Sequence, residues 1–179
     1  MPSQEYLANG IITLLDLSDS QMIPPADRLK KRFPIAMFEC IQSIPCNACY
    51  VACKPGALTM KNVNDTPLVD FDKCNGCLAC LKVCPGLAIF LLQLKEGKGQ
   101  ITLQYEFLAV PAAGEEVWVF DRAGRRLTKG KVVRVFPREK NDGTALLTVE
   151  VPEEVLLEAR AVAVNLYEQE DCLPLRGRD

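Results

Sequence analysis

The chain has 179 residues, 49 % of them hydrophobic, and its 21 lysines and arginines against 23 aspartates and glutamates leave a formal charge of −2. That is enough apolar material for one medium domain or two small ones, while the longest unbroken apolar run, residues 87–92, falls far short of the ~20 residues of a membrane-spanning helix. Histidine is absent, which excludes Cys/His zinc fingers, haem held by a proximal histidine and any histidine general base or triad.

Residues 1–33 read as an N-terminal arm. The run Ile11-Ile12-Thr13-Leu14-Leu15 predicts a short strand, and residues 25–31 a short helix whose start is marked by Pro24 and Pro25. The first basic residue is Arg28, so no basic start precedes an apolar core and no secretory signal is expected. The expected compartment is the cytoplasm, where disulfides are disfavoured.

Eight of the nine cysteines form two tight groups. In the second, Cys74, Cys77, Cys80 and Cys84 followed by Pro85 have the spacing C-x2-C-x2-C-x3-C-P. Three thiolates at every third residue wrap one iron–sulfur cube, and the fourth is directed toward a second. Structural zinc prefers paired C-x2-C hooks separated by a longer loop, a pattern that four cysteines within eleven residues do not match. The stretch from Asp72 to Pro85 fits without a gap and resembles the bacterial dicluster (2[4Fe-4S]) ferredoxin family.

That resemblance implies a second run, which is present in altered form. Cys46-x2-Cys49-x3-Cys53 reproduces the last three ligands, yet Ser43 stands where the first belongs and Cys40 lies three residues earlier. Cys40 is inferred to replace the missing ligand, with residues 41–45 as a longer loop stiffened by Pro45. Ligation through the Ser43 oxygen, or a three-ligand [3Fe–4S] cluster, are the alternatives; the preference of cubes for soft thiolates weighs against the oxygen. Lys54 separates Cys53 from Pro55, where the family has proline directly after the cysteine.

The resemblance further implies an α+β, ferredoxin-like dicluster module over residues 34–95 and crossed ligation. One [4Fe–4S] cluster would take Cys40, Cys46, Cys49 and Cys84, and the other Cys74, Cys77, Cys80 and Cys53. Two half-repeats support a pseudo-twofold module: Cys53-Lys54-Pro55-Gly56-Ala57-Leu58 echoes Cys84-Pro85-Gly86-Leu87-Ala88-Ile89. Ile35, Phe38, Val51, Leu58, Val69, Phe71, Leu78, Leu81, Val83 and Ile89 are expected to form the apolar jacket that keeps water from the cubes.

Residues 96–179 read as strands broken by turns and predict a small β-barrel-like domain. Strands are expected over residues 101–107, 116–120, 130–136, 144–151 and 161–167, with turns at Asp121-Arg122-Ala123-Gly124 and Asn141-Asp142-Gly143. Residues 152–160 open with proline and acids and close on arginine, as a short helix should. Trp118, among Val117, Val119 and Phe120, is expected in the core. Eight basic residues (Arg122, Arg125, Arg126, Lys129, Lys131, Arg134, Arg138, Lys140) face only Asp121 and Glu139 between positions 121 and 140. A solvated hairpin explains them, or a docking surface; nucleic-acid binding is disfavoured by the acidic whole. Cys172 stands apart as a free thiol without an assigned role.

No Gly-rich dinucleotide fingerprint appears, since Gly97 and Gly99 lie in an expected hairpin. With no histidine and no such fingerprint, electron transfer is the expected activity, without a substrate site in this chain. Residues 23–31 and 39–49 are similar to small iron–sulfur proteins found with flavin-dependent amino-acid or imino-acid dehydrogenases. This closer resemblance implies a flavoprotein dehydrogenase partner that passes electrons singly to the clusters. A diffusible ferredoxin-like carrier, or an interaction protein with structural clusters, are the other readings.

Overall fold

In the computed structural model, which describes residues 4–19, 22–141 and 143–164, the chain starts with two short helices, Gln4–Asn9 (α1) and Leu14–Asp19 (α2). The strand expected over residues 11–15 does not form. Its β-branched run ends in a cap instead: the Asp16 carboxylate accepts the Thr13 N–H at 2.9 Å and its hydroxyl at 2.7 Å, while Thr13 Oγ1 accepts the Asp16 N–H at 3.3 Å. This reciprocal pairing starts a helix. Ala26–Leu29 (α3) follows with Pro25 as its N-cap, where the expected helix lies.

Next come Ile35–Phe38 (β1), Ala48–Ala52 (α4), the two-residue strands Leu58–Thr59 (β2) and Leu68–Val69 (β3), and Ala79–Lys82 (α5). Six strands complete the fold: Ile89–Lys95 (β4), Lys98–Tyr105 (β5), Glu116–Phe120 (β6), Arg126–Phe136 (β7), Ala145–Pro152 (β8) and, after a 3-10 turn at Glu153–Val155, Ala161–Ala163 (β9). β2 pairs with β3, and the other strands form one antiparallel sheet in the order β1-β4-β5-β8-β7-β6-β9.

Every residue of β1 is buried because each face of this sheet carries a core. Side chains alternate along a strand, so Ile35 and Met37 enter one core and Ala36 and Phe38 the other. β4 does the same, with Phe90 and Leu92 on one side and Ile89 and Leu91 on the other. The larger core gathers Ile101, Leu103, Val119, Val132, Leu147 and Val149, together with Leu17, Met22 and Leu29 from the N-terminal arm. In the smaller one, Phe38, Ile89, Leu91 and Leu146 meet Leu58, Leu81 and several half-buried cysteines. The boundary expected at residue 95 therefore falls at the β4–β5 hairpin, inside a continuous sheet.

β1 and β9 are the sheet's two edges, and no closed barrel forms among the described residues. The open side of the large core is filled instead by Leu17, Met22 and Leu29 and by Leu156 and Ala159. Residues 165–167 of the last expected strand, Asp142 of the expected turn and Cys172 lie outside the described residues.

Three further expectations are corrected. The helix over residues 152–160 is only the 3-10 turn and the turns after it, because Leu156 and Ala159 are drawn into the core and the Arg160 N–H bonds Phe120 O at 2.8 Å. Trp118 is half-buried on the outer face of β6, where the guanidinium of Arg126 lies 4.2 Å and the ammonium of Lys129 5.2 Å from its ring centroid. Val51 and Val83 are 74 % and 40 % exposed and do not shield the module, while Ile35 and Phe71 pack toward the larger core.

Candidate metal centre

The two cysteine runs fold back on one face of the sheet, each around a short helix: Cys49 is carried by α4 and Cys80 by α5. Ahead of α5 the chain takes the left-handed conformation twice, at Gly76 (φ 68°) and at Leu78 (φ 67°). Gly76 is required for space as well as for φ, since a Cβ there would stand 2.5 Å from the carbonyl oxygen of Pro34. This bend brings Cys74, Cys77 and Cys80 to one cavity. Its walls include Cys53, Pro55 and Leu58 from the other run, and Phe38 and Leu91 from the sheet.

The second group lies beside it. Cys40 and Cys46 line a groove with Cys84, Glu39 and Phe90. Cys49 belongs with them electrostatically: burial first, then the neighbouring Cys84, with Cys46 and Cys40 adding, pushes its thiol up to about 11. Burial, Cys84 and Cys46 likewise raise Cys40. Cys80 is pushed up to about 12 by burial and by Cys74 and Cys77, with a smaller contribution from Cys49. The two groups thus adjoin through Cys49 and Cys80. Ser43 is exposed and does not line the groove that Cys40 lines.

The half-repeats match bond for bond. The Ala57 N–H donates to Cys53 Sγ at 3.3 Å and the Ala88 N–H to Cys84 Sγ at 3.4 Å. The carbonyls of the same two alanines accept the N–H groups of Asp70 and Glu39, both at 2.8 Å.

None of the eight described cysteines forms a disulfide. Among the described residues, no three Cys, Asp or Glu side chains are placed to hold a single metal ion. As thiolates, the members of each group would repel one another in a partly desolvated site, which a positively charged iron–sulfur core relieves. Amide donors aimed at Cys53 and Cys84, apolar walls and soft sulfur ligands complete a donor set that fits such a core.

A buried ion network, which the sequence reading missed, borders the first group. Glu39 accepts Arg122 Nη2 at 2.7 Å and Arg160 Nε at 2.5 Å, and Arg122 Nη1 reaches Glu158 at 2.6 Å. Arg160 also lies over the Phe90 ring, 4.7 Å from its centroid. Burial and the nearby Arg122 push the Arg160 guanidinium down to about 10 against the opposing pull of Glu39.

Other residues of the basic stretch pair with neighbours at the surface of the fold. Arg125 pairs with Asp121, Arg126 and Lys129 cover Trp118, Arg134 covers Phe136, and Arg138 binds the carbonyls of Tyr105 and Phe107. A periodic surface hairpin gave no local signal that Arg122 turns inward.

Over residues 39–88 these features fit a ferredoxin-type iron–sulfur module whose cofactors are two 4Fe-4S clusters. Residues 39–88 match the 4Fe-4S dicluster domain family. Over 46 residues the chain is 39 % identical to the pyruvate synthase subunit PorD of Methanocaldococcus jannaschii, covering 26 % of this chain and 52 % of that protein. Over 61 residues it is 38 % identical to the ferredoxin-type protein NapF of Haemophilus influenzae, covering 32 % of this chain and 35 % of that one. The chain thus spans about half the length of the first relative and about a third of the second. No solved structure matches it significantly. Among the described residues, no helix is long and apolar enough to cross a membrane.

Proposed function

We propose that the chain is the electron-transfer subunit of a multi-subunit, flavin-dependent oxidoreductase of the amine or imino-acid dehydrogenase type, working in the cytoplasm without a substrate pocket of its own. Cys40, Cys46, Cys49 and Cys84 hold one cluster; Cys74, Cys77, Cys80 and Cys53 hold the other. The observation that supports this ligand assignment is that Cys53 and Cys84 each share a cavity or groove with thiols of the opposite run. Bound there, the clusters supply one-electron oxidation and reduction.

The residues of the chain orient and insulate that chemistry. Cys49 and Cys80 bring the two ligand sets side by side, and Phe38, Leu58, Leu81 and Ile89 exclude water from the sheet side. Next to Cys49, Tyr50 and Val51 are 45 % and 74 % exposed and offer an apolar surface to a partner. The description of one relative as a synthase subunit and of the other as ferredoxin-type supports electron carriage within a larger assembly. The flavoprotein partner rests on the resemblance of residues 23–31 and 39–49.

Anaerobic affinity purification from the native cell, followed by native mass spectrometry, tests the proposal. A stoichiometric flavoprotein is the expected companion. Recovery of the iron-loaded chain alone would replace this reading with that of a diffusible carrier.

A further inference from the structure

Arg28, on α3, is only 6 % exposed. Arginine is almost never so buried without a partner of opposite charge, and Arg122 and Arg160 obey that rule by sharing Glu39. Arg28 does not. Its Nε donates to Phe71 O at 2.7 Å, Nη2 donates to Cys74 O, and Nη1 makes a longer bond of 3.4 Å to Phe33 O. Among the described residues no carboxylate lies within ion-pair distance of it.

A guanidinium held in the interior by carbonyls alone is unfavourable unless an anion close by offsets its charge. Cys74, whose carbonyl it binds, belongs to one proposed ligand set. Four thiolates outweigh the positive charge of a cube core, so that site is net negative, and it becomes more so when it takes up one electron from a one-electron donor such as a flavin semiquinone. Resting on the ligand reading above, we infer that Arg28 is the counter-cation of the cluster at Cys74, Cys77, Cys80 and Cys53. Its fixed charge stabilises the reduced form more than the oxidised form and so raises the potential of that couple. The Cys40 set lacks this bias. Next to it, Glu39 and Glu158 balance Arg122 and Arg160.

The test uses full-length protein reconstituted anaerobically with iron and sulfide. Iron content is assayed first, and the potentials are then titrated with electron paramagnetic resonance detection in Arg28→Gln, Arg28→Lys and Cys77→Ala. The relevant couple is the one that disappears in Cys77→Ala. In Arg28→Gln its reduced-to-oxidised ratio at fixed potential should fall about tenfold, a shift of about 59 mV for one electron, while the other couple stays in place. Arg28→Lys should recover most of the shift. An unmoved couple at full iron content, or an equal shift in Arg28→Lys, would overturn the inference. Should Arg28→Gln fail to load this cluster, retention in Arg28→Lys supports the charge and loss in both refutes it. Two intact clusters in Cys77→Ala would sink the ligand reading instead, whatever Arg28 does.

Discussion

Leu87 occupies the left-handed turn position three residues after Cys84 that Gly56 occupies three residues after Cys53, at φ 52° and 65° respectively. Both turns aim an amide, that of Ala88 or Ala57, back at the cysteine sulfur. One half-repeat meets the backbone demand with glycine. The other carries a leucine that is 44 % exposed, at a cost of roughly 1–2 kcal/mol.

The asymmetry predicts opposite responses. Gly56→Ala should lower the Tm of the holoprotein by a few degrees, since a side chain in this conformation costs about 1 kcal/mol. Leu87→Gly should leave Tm unchanged or raise it, because relief of the left-handed backbone offsets glycine's entropy cost of about 0.5–1 kcal/mol. Anaerobic thermal melts followed by circular dichroism check both.

Gly76 allows no such latitude. A Cβ would meet Pro34 O at 2.5 Å and its Cγ at 2.8 Å, in addition to roughly 1–3 kcal/mol for the left-handed backbone. Gly76→Ala should therefore spoil the Cys74, Cys77 and Cys80 loop and lower bound iron by about half. Iron and acid-labile sulfide assays read this directly, and a variant with full iron would contradict it.

The three readings at Cys40 separate by mutation. Cys40→Ala should convert or remove one cluster, visible as a [3Fe–4S] signal or a lost cube in the electron paramagnetic resonance spectrum, while Ser43→Ala leaves both unchanged. An unaltered pair of cubes in Cys40→Ala would withdraw this residue from the ligand set.

Glu39 is the common partner of Arg122 and Arg160, and all three side chains are nearly buried. Glu39→Gln leaves two buried guanidinium groups without their shared counter-charge, so unfolding should become easier by about 3–5 kcal/mol. Urea denaturation of the anaerobic protein measures it. Glu39→Gln combined with Arg160→Met should be less harmful than Glu39→Gln alone, because the second change removes one stranded charge.

What was legible in the sequence was local. The spacing of Cys74, Cys77 and Cys80 exposes a ligand loop because three ligands must wrap one cube within a single turn of chain. β6 could be read from its alternation and from the turn at Asp121, where the carboxylate accepts the Ala123 and Arg125 N–H groups at 2.9 and 2.8 Å. Residues 11–15 misled because Ile11, Ile12 and Thr13 have strand chemistry, while the cap that makes the helix depends on where Asp16 places its carboxylate.

The cysteine chemistry and the existence of two half-repeats were thus determined by the chain itself, through short-range spacing and amide geometry. Only the tertiary structure decided that Arg28 reaches a carbonyl 46 residues away and that Glu39 is held by arginines 83 and 121 residues downstream. Such contacts join side chains that no local pattern relates. They form because a sheet with a core on each face packs the N-terminal arm and the C-terminal strands around the dicluster module, and a charge buried there must find its partner wherever the fold has placed it.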